Sequence, residues 1–476
     1  MTNNVQSPLT LNRETFESLT KRTDASGNVR IVHIGLGAFA RAHQAWYTDV
    51  ADEMGEWGIA AFTGRNASAA EELAPQDGLF TLIERSAEKD TATIVSSIVE
   101  AVDGADLDRF VELLAAATTA LVTLTVTEAG YRLTADGQPN RDDNAVNEDI
   151  DWLSSALRGE LPASFNGGPV TTLGRLLLGL HARRLAGVGP IAIVPCDNMP
   201  DNGPFVRSGI LALAELVNPE TGAWIAEEVS FVSTSVDRIT PRTTPSDIAT
   251  AADLTGFADQ APVVTEPFRD WVLSGAFPAG RPDWEKAGAR FVDEIEPFER
   301  RKLWLLNGAH SLLAYAGRLR GHETVASAIS DPVCRTWVTE YWDAASAHLG
   351  EGLDLDNYRA ALLDRFENAR IEHRLAQIGM EGVTKLRVRA APILLAERAA
   401  GRTGGAPIRA IGSWAALVMS GTELADASAA GIAAALASND DVLTELVRLI
   451  DPELVADSAV LDGIRSVATE SLSTHA

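Results

Sequence analysis

Cysteine is nearly absent from this chain: its 476 residues include two, Cys196 and Cys334, far apart and without metal-ligand spacing. A disulfide framework and a cysteine-rich zinc site are therefore excluded. Positive charge is also in deficit, with 40 Lys and Arg against 66 Asp and Glu and a formal charge of −26. Nucleic acid and anionic membrane are poor partners for such a body. No apolar run approaches the roughly 18 residues of a spanning helix, and residues 1–28 are polar with no apolar signal core. The expected setting is a reducing cytoplasm and the expected partner a small molecule.

What is present is the composition of a soluble globular protein, 46% hydrophobic and 22% charged. The length calls for two or three domains. Residues 29–34 form a short apolar run ending in Gly35-Leu36-Gly37, and residues 38–50 read as helix. Strands are expected at 57–63, 79–84, 94–102, 120–127, 191–196 and 228–236, with helices at 67–73 and 107–117 between them. Such alternation predicts a mostly parallel sheet covered on both faces. From about residue 295 helix-like stretches dominate, at 301–319, 332–349, 358–366, 390–400 and an Ala-rich tail from 413. The Pro- and Gly-containing stretch 277–284 reads as a linker. The expected fold class is α/β, with a Rossmann-like domain at 1–290 and a mostly α-helical domain at 291–476.

Five segments carry chemistry. Gly35-Leu36-Gly37-Ala38-Phe39-Ala40 lies between strand and helix, as a dinucleotide-binding loop requires: the first Gly allows the tight turn, the second the approach of a pyrophosphate. An ordinary strand–helix turn has the same outline, and Arg41 and His43 either face that region or lie on the helix surface. After the second strand comes Thr63-Gly64-Arg65-Asn66, without the carboxylate that binds the ribose of NAD; Arg65 can pair with a 2′-phosphate or stand in solvent. Asn198, in the loop after the strand at 191–196, can donate to an oxygen that gains negative charge. Asp237-Arg238 ends another strand, as a substrate-shaping cluster or a surface ion pair. In the fifth segment, Lys302-Leu-Trp-Leu-Leu-Asn307-Gly-Ala-His310-Ser, α-helical spacing puts the three polar residues at roughly 0°, 140° and 80°, on one side. A desolvated lysine there can act as a base; alternatively Lys302 snorkels and His310 is satisfied in the core.

Together these segments resemble the polyol-specific long-chain dehydrogenases, the family of mannitol 2-dehydrogenase, fructuronate and tagaturonate reductases and arabinitol 4-dehydrogenase. The matches run in order across nearly the whole chain: Ile34 to His43, Thr127-Glu128-Ala129-Gly130-Tyr131, Cys196-Asp197-Asn198, Val236 to Pro241, Glu266-Pro267-Phe268 with Trp271, and the Lys302–Asn307–His310–Ser311 signature. His373-Arg374, Gln377-Ile378 and Glu381-Gly382-Val383-Thr384-Lys385 follow, with Ala369, Glu381 and Val383 departing from the family's Pro, Asp and Ser. The resemblance implies metal-independent hydride transfer with NAD or NADP, Lys302 as acid–base, and Asn307 and Asn198 as amide donors. It further implies that His310, Asp237, Arg238, His373 and Lys385 bind substrate, and that Gly35, Leu36, Gly37, Ala38, Phe39, Arg65 and Glu128 bind cofactor. A monomer or weak small oligomer is expected.

Other oxidoreductase classes fit less well. None of the five tyrosines has Lys four residues on, so a short-chain Tyr-x-x-x-Lys site is excluded. His322-Glu323 lacks the second His of a zincin and reads as a loop or helix-cap pair. A non-catalytic nucleotide sensor would keep the glycine loop without needing Lys302, Asn307 and His310 together. D-Mannitol and D-fructose are the favoured substrate pair. Hexuronate reduction stands close behind, with Lys385, Arg374 and Arg387 as available cations.

Overall fold

The computed structural model describes residues 8–16, 29–64 and 66–475. The chain forms two compact units, Met1–Ile295 and Glu296–Ala476.

The first unit is built on six parallel strands: β1 (Val29–Ile34), β2 (Gly58–Phe62), β3 (Ile98–Val102), β4 (Leu121–Leu124), β5 (Ile191–Pro195) and β6 (Val229–Phe231). Their order, β3-β2-β1-β4-β5-β6, is that of the doubly wound dinucleotide-binding sheet, and it reverses between β1 and β4. The strands are apolar on both faces because both are covered. Successive residues go to different cores: Val32, Ile34, Ala60, Phe62, Val122 and Ile193 to one, Ile31, Ile59, Ala61, Leu121 and Val194 to the other.

Two expected strands are broken in the structure. The run 94–102 divides into Asp90–Val95 and β3, because Ser96 and Ser97 leave the ladder to bond Asp49 and the Ala45 carbonyl. The run 228–236 divides at Val232 into β6 and Ser233–Asp237, which joins a separate three-stranded sheet with Asp270–Ser274 and Arg290–Phe291. The expected linker at 277–284 is packed structure: Trp284 is fully buried, 4.6 Å from the ring of Trp271, and its Nε1 donates to Thr48 Oγ1 at 3.0 Å.

The second unit is helical. Its first helix begins at Glu296–Arg301, takes π form over Lys302–Asn307, returns to α at Gly308–Leu312 and is π again at Leu313–Gly317. Gly405–Met419 packs along Ser458–His475. No described helix is long and apolar enough to cross a membrane.

Candidate active site

The loop after β1 sits at the reversal of strand order, where ligands of such sheets bind. Gly35 has φ +108°, and a Cβ there would lie 2.1 Å from the Thr125 carbonyl oxygen, so the tight turn demands glycine. Gly37 differs: an added Cβ would meet only the Gly35 oxygen, at 3.6 Å. Its missing side chain relieves no clash and leaves room beside the loop, as close approach of a pyrophosphate requires. Ala38 and Phe39 open a continuous helical run over residues 38–51, so the loop ends at a helix N-terminus. Leu36 is buried, and the N–H groups of Gly35 and Leu36 both donate to Phe62 O at 2.9 Å.

Beneath the loop His33 bridges Thr123 Oγ1 at 2.8 Å and Thr125 Oγ1 at 3.0 Å, and Thr125 donates on to Gly35 O at 2.8 Å. Burial lowers the His33 pKa to about 4. Arg41 does not lie on the helix surface: it is buried, bonded to the carbonyls of Gly37 in the loop and of Ala261. His43 is buried too, stacked on Phe39 at 5.0 Å. Arg65 lies outside the described residues.

At the carboxyl ends of β4 and β5 stands a residue that the sequence reading quoted but gave no role. Asp197 is buried; its Oδ1 accepts from Val126 N at 2.8 Å and its Oδ2 from the Tyr131 hydroxyl. Asn202 Nδ2 donates to Asp197 O at 3.3 Å and to Thr234 O at 2.9 Å. These bonds tie three chain segments together around exposed Asn198, next to Asp197 in the chain. Burial raises the Asp197 pKa to about 7 against the opposing bonds from Tyr131 and Val126. Glu128 is exposed, at the start of the short helix Glu128–Tyr131. Asp237 is buried at the end of its strand, in register with Asp270.

Arg238 is not a surface ion pair. Its side chain has no exposure; Nη1 donates to Ala42 O at 2.6 Å, Nε to Glu266 O at 3.2 Å, and Nη2 pairs with Glu84. With its guanidinium also over Trp46 at 4.9 Å, it ties several segments of the sheet unit together.

In the second unit Lys302 and Asn307 are half-buried at the two ends of the π segment, and His310 is buried one turn on. A π-turn carries one more residue than an α-turn, which brings residues five apart toward one face. Lys302 and Asn307 are five apart, so the π form draws them closer in phase than the α-helical reading of the sequence does. The His310 ring lies 4.8 Å from His373 and 4.8 Å from Phe366. Burial, then His373, Arg365, Arg389 and Lys385, hold its pKa well below the usual value, so the imidazole is neutral. Half-buried Lys385 donates to Ile378 O at 3.0 Å, and burial lowers its pKa.

Residues 29–286 match the mannitol dehydrogenase Rossmann domain and residues 294–454 the mannitol dehydrogenase C-terminal domain. The chain belongs to the mannitol dehydrogenase family. As a member it is an oxidoreductase. It is 38% identical to D-mannonate oxidoreductase of Escherichia coli K12 over 75% of this chain and 73% of that one. It is 36% identical to mannitol 2-dehydrogenase of Aspergillus fumigatus over 75% and 71%. The structure of Pseudomonas fluorescens mannitol 2-dehydrogenase in ternary complex with NAD and D-mannitol is 29% identical, with a TM-score of 0.76 over 98% of this chain and 99% of that one.

Where the chain departs from the family pattern, the structure shows what the new residues do. Glu381 stands at φ +56° before the helix Gly382–Arg389, and its Oε2 accepts from Ala427 N at 2.9 Å. Buried Val383 donates its N–H to Asp426 Oδ2 at 3.1 Å. Among the described residues one group has metal-ligand proximity: His322, Asp331 and Cys334, with donor atoms within 4.8 Å of one another. Asp331 Oδ2 is already paired with Arg320 Nε at 2.6 Å, and Oδ1 caps a helix by accepting from Val333 N. That carboxylate acts as a cap and an ion pair.

Proposed function

We infer that this chain interconverts a secondary alcohol and a ketone on an open-chain six-carbon sugar, with NAD as hydride carrier and without a metal ion. D-Mannitol and D-fructose are the favoured pair. The observation that carries this reading is the helix in the second unit that bears Lys302 and Asn307 on a π-turn and His310 on the α-helical turn that follows. The glycine loop and the parallel sheet fit a dinucleotide, and the similar Pseudomonas fluorescens enzyme is described with NAD and D-mannitol. Bound nicotinamide would supply the hydride acceptor at its C4. Lys302 would take the alcohol proton as a neutral amine during oxidation and return it as an ammonium during reduction. Asn307 would donate to the oxygen as charge develops on it, and Asn198 is assigned the same role. Neutral His310, with Asp237 and His373, would orient hydroxyl groups.

An uncharged substrate suits the way the neighbouring cations are already committed. Arg374 pairs with Glu372 at 2.7 Å. Arg387 donates to Leu449 O and Ile450 O, and Arg389 to Asn307 O and Ser311 Oγ. Lys385, which donates to Ile378 O at 3.0 Å, can hold a hydroxyl as well as a carboxylate. One observation favours a hexuronate: Arg365, Arg389, Lys385 and His373 all act on His310, a local positive field in a chain of charge −26.

The test is a nicotinamide absorbance assay of fructose and fructuronate, each with NADH and NADPH, before and after dialysis against EDTA. Higher kcat/KM for fructose with NADH, unchanged by EDTA, is expected. A preference of more than about tenfold for fructuronate, worth ~1.4 kcal/mol, selects the hexuronate reading. No turnover on any polyol, ketose or hexuronate, with cofactor binding intact, returns the chain to the sensor class.

A further inference from the structure

The helix that carries Lys302, Asn307 and His310 leaves α geometry between Lys302 and Asn307 and regains it at Gly308. Its Gly308 N–H reaches back five residues to Leu303 O as well as to Leu305 O. A π-turn interrupts the i→i−4 ladder and persists only where neighbouring groups hold it. Here two side chains from other helices end on its carbonyls. Trp342, 3% exposed on the helix Pro332–Ser346, donates from Nε1 to Leu305 O at 2.8 Å. Arg389, closing the helix Gly382–Arg389, donates from Nη1 to Asn307 O at 3.2 Å and Ser311 Oγ at 3.0 Å. Tyr341 completes the frame. Its hydroxyl donates to Arg389 O at 2.7 Å, and its ring occupies the space beside Gly308, where a Cβ would stand 2.6 Å from Cε1.

We propose that Trp342 and Arg389 are positioning residues for the reaction: by holding the π-turn they set the angle between the proton carrier Lys302 and the amide donor Asn307. The proposal rests on the roles assigned to those two residues under the proposed function. If the segment relaxed to α form, the residue inserted by the π-turn would be lost, and Asn307 would rotate about the helix by on the order of 100° relative to Lys302. Neither positioning side chain is required to touch substrate for this to matter.

Trp342→Phe keeps an aromatic ring and removes the N–H. Arg389→Lys keeps the charge and removes the fork. Trp337→Phe on the same helix is the matched control, since the Trp337 ring packs against Arg320 and Arg409. In the full-length protein, Trp342→Phe should lower kcat by roughly tenfold to a hundredfold, as small misplacements of reacting groups do. KM for the nicotinamide cofactor should stay unchanged, while the pH profile of kcat shifts. In cofactor-free protein, amide hydrogen exchange at residues 303–308 should quicken, whereas Trp337→Phe should alter none of these. Arg389→Lys should move kcat and exchange in the same direction. The proposal is overturned if Trp342→Phe keeps wild-type kcat, pH profile and exchange, or if its losses merely track a lowered Tm. Should Lys302→Ala retain turnover, the underlying role assignment fails, whatever Trp342→Phe does. An inactive Lys302→Ala beside an unaffected Trp342→Phe refutes positioning alone.

Discussion

Asp197 shows what a single residue contributes beyond its place in a motif. Tyr131 and Val126, which hold its carboxylate, lie 66 and 71 positions away in the chain. The sequence shows an Asp beside an Asn at a strand end, and a Tyr three residues after Glu128. That the two meet follows only from the adjacency of β4 and β5. Removing one partner from a buried bond to a charged group costs about 1–3 kcal/mol. Tyr131→Phe should therefore lower unfolding free energy by about that amount in urea titrations. It also removes a bond that favours the charged carboxylate, so the Asp197 pKa, already raised to about 7, should climb further. Asn307 belongs to the same scale. If it donates to the developing oxyanion, Asn307→Ala should add ~2.7–4 kcal/mol to the barrier, read from kcat/KM. Arg238 taught the reverse lesson. A charged residue at a strand end looks like a ligand for substrate, yet its donors are spent on Ala42, Glu84 and Glu266, groups brought to it from distant parts of the chain.

At the scale of elements, apolar runs were the legible part. β1, β2, β4 and β5 fall within the runs read from sequence, because strands buried on both faces are written as continuous hydrophobes. Run ends were less legible. Residues 94–102 and 228–236 keep strand composition across a break, and only side-chain bonds from Ser96 and Ser97 and the departure at Val232 reveal it. The Pro- and Gly-containing stretch before Trp284 misled because composition signals a turn without saying whether that turn is packed. The π-turns could not be read at all, since periodicity arguments assume 3.6 residues per turn. Their consequence is testable at Gly308. The Tyr341 ring leaves a Cβ 2.6 Å from its nearest atom, so Gly308→Ala should cost roughly 1–3 kcal/mol through overpacking, seen as a lower Tm.

Over the whole molecule, the acidic composition argues against polyanionic partners without naming a substrate, and the buried groups set the response to pH. His33 is held neutral in the fold, its pKa lowered to about 4 from an ordinary 6.5. The native state then binds fewer protons than the unfolded chain between those values, so stability is present above pH 6.5 and is lost as pH falls toward 4. His310, also held well below its ordinary value by burial, acts in the same direction. Asp197 opposes them: the fold raises its pKa from 3.8 to about 7, so its contribution weakens as pH rises through that window. Urea unfolding from pH 7 to pH 4 should show a net loss of stability on acidification, and His33→Asn should flatten the curve between 6.5 and 4. A curve unchanged by that substitution would mean that His33 is charged in the fold.

The central claim is that Lys302 carries the proton in a nicotinamide-linked redox reaction of a sugar, and it meets its most direct test in Lys302→Ala. Ketose-dependent oxidation of NADH should fall by about 10²–10⁴-fold, the usual contribution of a positioned acid–base group, while fluorescence titration gives the wild-type Kd for NADH. Turnover at the wild-type rate, in a variant that binds NADH normally, would contradict the account.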